Sequence, residues 1–168
     1  MKTLLVMRHA KSDRDADYDG DHERPLNHRG IRSARIMGRV LAADGLAPDL
    51  VVTSTAVRAR STASLAKAAG HWDCEIVLDP NLYGTGADAA VQTATSVADS
   101  DRLMLVGHQP TWSILVSILT GENADMKTAT VVAIEFDIEA WDDLPSVRGD
   151  VSAIYQPREY FGSNFDHD

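Results

Sequence analysis

A four-residue apolar run, Leu4-Leu5-Val6-Met7, ends abruptly in Arg8-His9. An uninterrupted run this short, with β-branched content, reads as a strand buried on both faces. Unpaired charges cannot follow it into a core. Arg8 and His9 therefore belong at the strand's carboxyl end, the edge where open α/β sheets place their ligand crevices. The arrangement recurs twice. Leu50-Val51-Val52-Thr53 runs into Ser54-Thr55 with Arg58 close behind, and Leu103-Met104-Leu105-Val106 runs into Gly107-His108-Gln109-Pro110.

Helical patterns separate these strands. Asn27 is a good helix cap. After it, Ile31, Ala34, Gly38, Leu41 and Ala42 recur at three- and four-residue spacing, with Arg29, Arg32, Arg35 and Arg39 mostly on the other face, so an amphipathic helix is predicted up to Gly45. Ser54-Thr55 is expected to cap a second helix over 56–69, ended by Gly70. Further helices are predicted over 87–97 and 111–119. A weaker strand is predicted at 75–78, a fifth at 130–136, and a sixth at 151–155 pairing with it antiparallel. Strands alternating with helices give an α/β fold, a three-layer sandwich with a mostly parallel central sheet. The 168 residues suit a single domain over 1–168, with an irregular tail over 156–168 on which Tyr160 and Phe161 dock.

The chain carries a net charge of −9, which repels nucleic acid and anionic membranes. No apolar run approaches a membrane span, and a single cysteine, Cys74 between Asp73 and Glu75, fits a reducing cytoplasm and an inert thiol. Against this acidic background, Arg8, His9, Arg58 and His108 converge on one sheet edge. A helix amino terminus adds unpaired N–H groups and the positive end of a dipole. The implied ligand is a phosphate or similar oxyanion, which arginine grips with a fixed fork of donors. A metal centre is not expected, because no ligand set is visible and the arginines would repel a cation. A neutral imidazole can instead attack phosphorus while arginines neutralise the transferring oxygens. Residues 12–23 are dense in acid. Asp15 to Gly20 matches the first half of a calcium loop, but Leu26 stands where the bidentate glutamate is required, so a solvated surface loop beside the crevice is expected.

At these residues the sequence resembles the histidine phosphatase superfamily, which includes the cofactor-dependent phosphoglycerate mutases. The arginine–histidine signature stands as Arg8-His9-Ala10, the second arginine motif as Thr53-Ser54-Thr55-Ala56-Val57-Arg58, and the second histidine as Val106-Gly107-His108-Gln109-Pro110. Arg24-Pro25-Leu26-Asn27 and Leu82-Tyr83-Gly84 look most like the SixA-type phosphohistidine phosphatase branch. The resemblance implies a phosphoglycerate mutase-like fold, His9 as nucleophile, Arg8 and Arg58 as phosphoryl ligands, and His108 as a further ligand stabilising the transition state. It implies no metal and no cofactor.

Larger members carry an acidic proton donor where this chain aligns Asn81, which cannot donate a catalytic proton; Asp79, Asp88 or Asp13 are the substitutes within reach in the sequence. An alkoxide leaving group benefits strongly from a general acid. An imidazole, whose conjugate acid has a pKa of about 6.5, departs far more easily. The expected partner is therefore a phosphorylated substrate, an N-phosphorylated histidine in a protein being the leading choice. A small-molecule phosphomonoesterase and a non-catalytic phosphate-binding module are the alternatives. Lys11, Ser12, Arg24, Asn81 and Gln109 are further candidates to line the substrate site. Trp112 is read as core packing or a pocket wall.

Overall fold

The computed structural model describes residues 1–97 and 99–168. Six strands, β1 (Lys2–Arg8), β2 (Leu50–Thr53), β3 (Glu75–Leu78), β4 (Arg102–Gly107), β5 (Val131–Phe136) and β6 (Asp150–Tyr155), form one sheet in the order β3-β2-β4-β1-β5-β6. The first four in that order are parallel, and β5 and β6 add antiparallel pairs beside β1. Four helices cover the faces: α1 (His28–Ala43), α2 (Val57–Gly70), α3 (Ala87–Thr95) and α4 (Thr111–Thr120).

The alternation of strand side chains assigns each residue to one of two cores. Leu4 and Val6 of β1 join Leu103, Leu105, Trp112, Leu115 and Phe136 beneath α3 and α4. Leu5 and Met7 point the other way, into Met37, Leu41, Ala63, Met104 and Val106 beneath α1 and α2. The result is the expected three-layer sandwich. β3, on the sheet edge, is mostly exposed, in keeping with its weaker sequence pattern.

Two helix boundaries differ from expectation. The first residue before α2 is Ala56, which offers no side-chain cap; Ser54 instead accepts a hydrogen bond from the Ala56 N–H at 3.2 Å and spends the rest of its hydroxyl elsewhere. Nor is Gly70 the left-handed stop. That position is taken by His71 at φ 55°, while Gly70 remains helical because α1 and α2 touch there. A Cβ on Gly70 would fall 2.2 Å from the Gly38 carbonyl oxygen, and one on Gly38 would fall 2.0 Å from that of Ala66. The two glycines let the helix backbones meet, which draws α2 against α1 and fixes where its first turn points.

Residues 12–23 leave the sheet edge through a fastened neck. The Asp13 N–H donates to the Pro25 carbonyl at 2.8 Å, the Asn27 N–H donates to that of Lys11 at 3.0 Å, and Ser12 and Leu26 form an isolated bridge between them. Asn27 also caps α1, its side chain accepting from the Gly30 N–H at 2.8 Å. Beyond β6, a short 3-10 turn (Pro157–Tyr160) leads Tyr160, Phe161 and Phe165 onto the α1 side. The guanidinium groups of Arg29 and Arg32 lie 4.5 and 4.4 Å from the centre of the Phe161 ring.

Candidate active site

β1, β4 and β2 are neighbours, so the residues leaving their carboxyl ends emerge side by side. The backbone extends the ladder by one residue at each exit. The His9 N–H donates to the Gly107 carbonyl at 3.0 Å, and the Ser54 N–H donates to that of Val106 at 2.9 Å. His9 and His108 are thereby held with ring centres 5.2 Å apart. Thr62 on α2 ties the helix to this edge. Its hydroxyl donates to the Arg58 carbonyl at 2.6 Å and accepts from the Ala10 N–H at 2.9 Å. One side chain thus couples the position of Arg58 to that of the residue after His9.

These groups line a crevice of about 710 Å³, together with Lys11, Ser12, Asp13, Arg14, Asp15, Asp21, Arg24, Asn27, Tyr83 and Gln109. His9 forms its floor at 7% exposure. Its Nδ1 lies 2.7 Å from the Ala10 carbonyl oxygen. A carbonyl can only accept, so Nδ1 carries the proton and Nε2 keeps its lone pair. Burial, reinforced by His108, Arg58 and Arg8 and opposed by the Ala10 carbonyl, pushes His9 down to about 3 from its ordinary 6.5. Burial likewise lowers His108 to about 4, with Arg58 adding to the effect. His108 Nε2 is hydrogen-bonded to the Ser54 hydroxyl at 2.8 Å, which is where the supposed capping serine is employed.

Arg8 donates to the Met126 carbonyl at 3.1 Å. Burial lowers its pKa, against the attraction of Asp125. Arg24 and Arg58 are both buried, at 6% and 5% exposure. Arg8 Nε, Arg24 Nη1 and Arg58 Nε are buried and have no hydrogen-bond partner among the described residues. An acidic chain that concentrates three under-satisfied guanidinium groups in one crevice has built a site for an anion.

Asp21 and Tyr83 belong to the crevice although neither is among the site residues expected from the sequence, Tyr83 having entered only as part of the Leu82-Tyr83-Gly84 motif. Asp21 Oδ2 accepts from Arg58 Nη2 at 2.9 Å and from the Tyr83 hydroxyl at 2.8 Å, while Oδ1 accepts from Arg24 Nη2 at 3.0 Å. Its backbone carbonyl accepts a second bond from Arg58, at 2.7 Å. The Tyr83 hydroxyl first, and then the two arginines, hold this carboxyl at about 2. Tyr83 stands edge-on to His108 and to His22, with ring centres 5.6 and 4.9 Å away.

Asn81 is not in the crevice. It is exposed, and it lines a separate cavity beside β2 and β3 with Asp79 and Gln92. Its turn is held by Asp79, which accepts from the Asn81 N–H at 2.9 Å and from the Thr93 hydroxyl at 2.8 Å. Of the other suggested proton donors, Asp88 also lies outside, and Asp13 lies on the rim. Gln109 reaches the crevice wall, but both ends of its amide are engaged with Ser113 at the start of α4. Trp112 is a core residue, 1% exposed and packed against Gly107. Among the described residues, no group of three His, Cys, Asp or Glu side chains is placed to hold a metal ion, and no helix is long and apolar enough to cross a membrane.

The family model for branch 1 of the histidine phosphatase superfamily matches residues 4–86, a span holding Arg8, His9, Arg24 and Arg58. An uncharacterised protein of Mycobacterium tuberculosis is 41% identical over 116 residues, covering 67% of this chain and 69% of its own. The chain belongs to the histidine phosphatase superfamily. Within that superfamily, the fold is similar to a structure assigned as the phosphohistidine phosphatase SixA of Nakamurella multipartitia. The two are 26% identical, with a TM-score of 0.83 and coverage of 93% of this chain and 96% of that one. The protein histidine phosphatase SixA solved with tungstate superposes with a TM-score of 0.79 at 21% identity, over 94% of this chain and 98% of that one. This phosphatase therefore has the phosphoglycerate mutase-like fold implied by its three strand-end motifs, in the SixA-type form that Arg24-Pro25-Leu26-Asn27 and Leu82-Tyr83-Gly84 point to.

Proposed function

We propose that this histidine phosphatase removes the phosphoryl group from N-phosphorylated histidine in proteins, through a covalent phosphohistidine on His9. The observation that carries the reading is the fixed tautomer of His9. Ala10 holds the proton on Nδ1, so the unprotonated Nε2 faces a crevice lined by arginines. Nε2 attacks phosphorus, Arg8, Arg58 and Arg24 take up the charge of the phosphoryl oxygens, and His108 lends a further hydrogen bond as the transition state forms. Phosphorylation leaves the His9 ring cationic, and the Ala10 carbonyl receives the strengthened Nδ1–H. Water then attacks phosphorus, the P–N bond returns its electron pair to Nε2, and phosphate departs as the dihydrogen anion with both protons supplied by that water.

The choice of substrate rests on the leaving group. Asn81, which the resemblance sets at the position of the proton donor, has no acidic proton to give and lies outside the crevice. A phosphorylated imidazole does not need one. Acid-quench labelling with a phosphorylated substrate, followed by mapping of the modified residue, is expected to place the label on His9. Turnover of a phosphohistidine peptide is expected to exceed that of a sugar phosphate. Faster turnover of the sugar phosphate would reassign the enzyme to small-molecule esters, and binding without turnover of any phosphorylated substrate would reduce it to a binding module.

A further inference from the structure

We infer that Asp21 is the leaving-group residue of this site: its carboxylate accepts the ring N–H of the departing imidazole, and so selects phosphorylated histidine in its protonated form over phosphate esters. The inference rests on the phosphohistidine reading above and adds to it a residue and a reason for selectivity.

The argument begins with depth. His9 is buried at the floor, whereas the Asp21 side chain is 56% exposed at the mouth of the same crevice. Arg58 spans the two levels, sharing the crevice with His9 and gripping Asp21 with both terminal nitrogens. A phosphoryl group seated on the arginines thus has His9 below and Asp21 towards solvent. In-line attack from the floor expels the leaving group towards the mouth, the direction from which a side chain on a protein surface must enter.

The carboxylate is held in place but not saturated. Among the described residues, Oδ2 takes two donors, Arg58 and Tyr83, while Oδ1 takes one, Arg24, which leaves it capacity for another N–H. Three donors also keep Asp21 ionised, so it serves as an acceptor and not as an acid.

The chemistry then becomes an exchange between two like rings. The substrate ring, phosphorylated on one nitrogen and protonated on the other, is a cation. His9 Nε2 forms a bond to phosphorus, the substrate P–N bond breaks, and its electron pair stays on the departing nitrogen. The positive charge moves from the substrate ring to the His9 ring. No proton is transferred, because each ring keeps the N–H it had. Asp21 does for the leaving imidazole what the Ala10 carbonyl does for His9. An alkyl phosphate offers no N–H to Asp21 and brings an alkoxide beside a carboxylate, which is repulsive.

The charged and titratable groups facing Asp21 are Arg58 from α2, Arg24 at the end of the acidic loop, Tyr83 beyond β3, and His108 beyond β4. The test uses Asp21→Asn, whose amide oxygen can still accept from the arginines, and Asp21→Glu, which restores the charge. Both kcat and kcat/KM are measured from pH 6 to pH 8.5 for a phosphohistidine peptide and for p-nitrophenyl phosphate, whose leaving group has no N–H to donate. We expect Asp21→Asn to lose ~10-fold in phosphohistidine-to-aryl selectivity at the alkaline end. Its kcat profile on phosphohistidine, which reports the bound ring, should fall off about one pH unit earlier than that of the parent, the size of one charge-assisted hydrogen bond. Asp21→Glu should recover part of that limb. Equal losses on both substrates with no shift of the limb would show that Asp21 only holds the arginines, which overturns the inference and leaves the phosphohistidine reading standing. A parent enzyme that cleaves p-nitrophenyl phosphate but not the phosphohistidine peptide would overturn both.

Discussion

Burial of a neutral His9 has a measurable cost in acid. In the unfolded chain the imidazole titrates near 6.5, whereas in the folded protein it is pushed down to about 3. Below pH 6.5 the unfolded state therefore binds a proton that the native state refuses. The unfolded chain holds more protons in this window, so stability rises with pH and falls as the solution is acidified. Between pH 7 and pH 5, His9 alone should remove about 2 kcal/mol, from the free energy of protonating an unfolded imidazole 1.5 units below its pKa. His108, lowered to about 4, acts in the same direction. Urea unfolding in phosphate-free buffer at the two pH values, on the parent and on His9→Asn, isolates the term. The parent should lose about 2 kcal/mol more than the variant over this interval. Equal losses in the two proteins would mean that His9 is solvated or protonated in the native state, and the argument for an unprotonated Nε2 would fail with it.

His9→Ala should abolish turnover and covalent labelling while retaining part of the affinity for inorganic phosphate, measured by calorimetry; turnover at the parental rate would remove His9 from the mechanism. Arg58→Ala should lower kcat/KM by roughly 100- to 1,000-fold, the cost of removing one donor to developing charge, and a loss below ~10-fold would place the phosphoryl group elsewhere. Asn81→Ala should change kcat/KM by less than ~2-fold, as befits a surface substitution away from the crevice. Gly38→Ala should destabilise the fold by ~1–3 kcal/mol in urea, because the new methyl meets the Ala66 backbone and the helices must separate; a neutral result would mean that α1 and α2 are not in backbone contact.

The sheet was legible because its strands are short apolar runs that stop at chemistry. Leu4 to Met7 and Leu103 to Val106 have only one comfortable place in an α/β protein, and Arg8, His9 and His108 follow from it. Asn81 was misplaced because its distance from Leu82-Tyr83 along the chain does not tell which side of the turn faces the crevice. That side is set by Asp79, which draws Asn81 towards β3 and leaves Tyr83 inward. Asp21 was hidden among six acids at nearly alternate positions. Its place in the alternation does not distinguish it from the other five, and the neck at Asp13 and Pro25 is what brings it over Arg58. A weak signal did exist, since Asp21 stands three residues before Arg24 and the two are partners across one short turn. Gly70 was read as a stop because glycine usually marks one. Its real constraint is a neighbouring backbone, which a single helix pattern cannot reveal.

The fastened neck of residues 12–23 makes the tip of that excursion, ahead of Asp21, separable from the scaffold beneath it. Its two roots are pinned to each other at Ser12–Leu26 and Asp13–Pro25, so a change in contour length between them is not transmitted to β1 or to α1. Doubling a flexible loop closed in this way costs only about 0.6 kcal/mol in chain entropy. Lengthening or recharging the tip of the excursion ahead of Asp21 is thus an inexpensive way to retune what the enzyme admits, provided Asp21 and Arg24 are kept to hold Arg58 over His9.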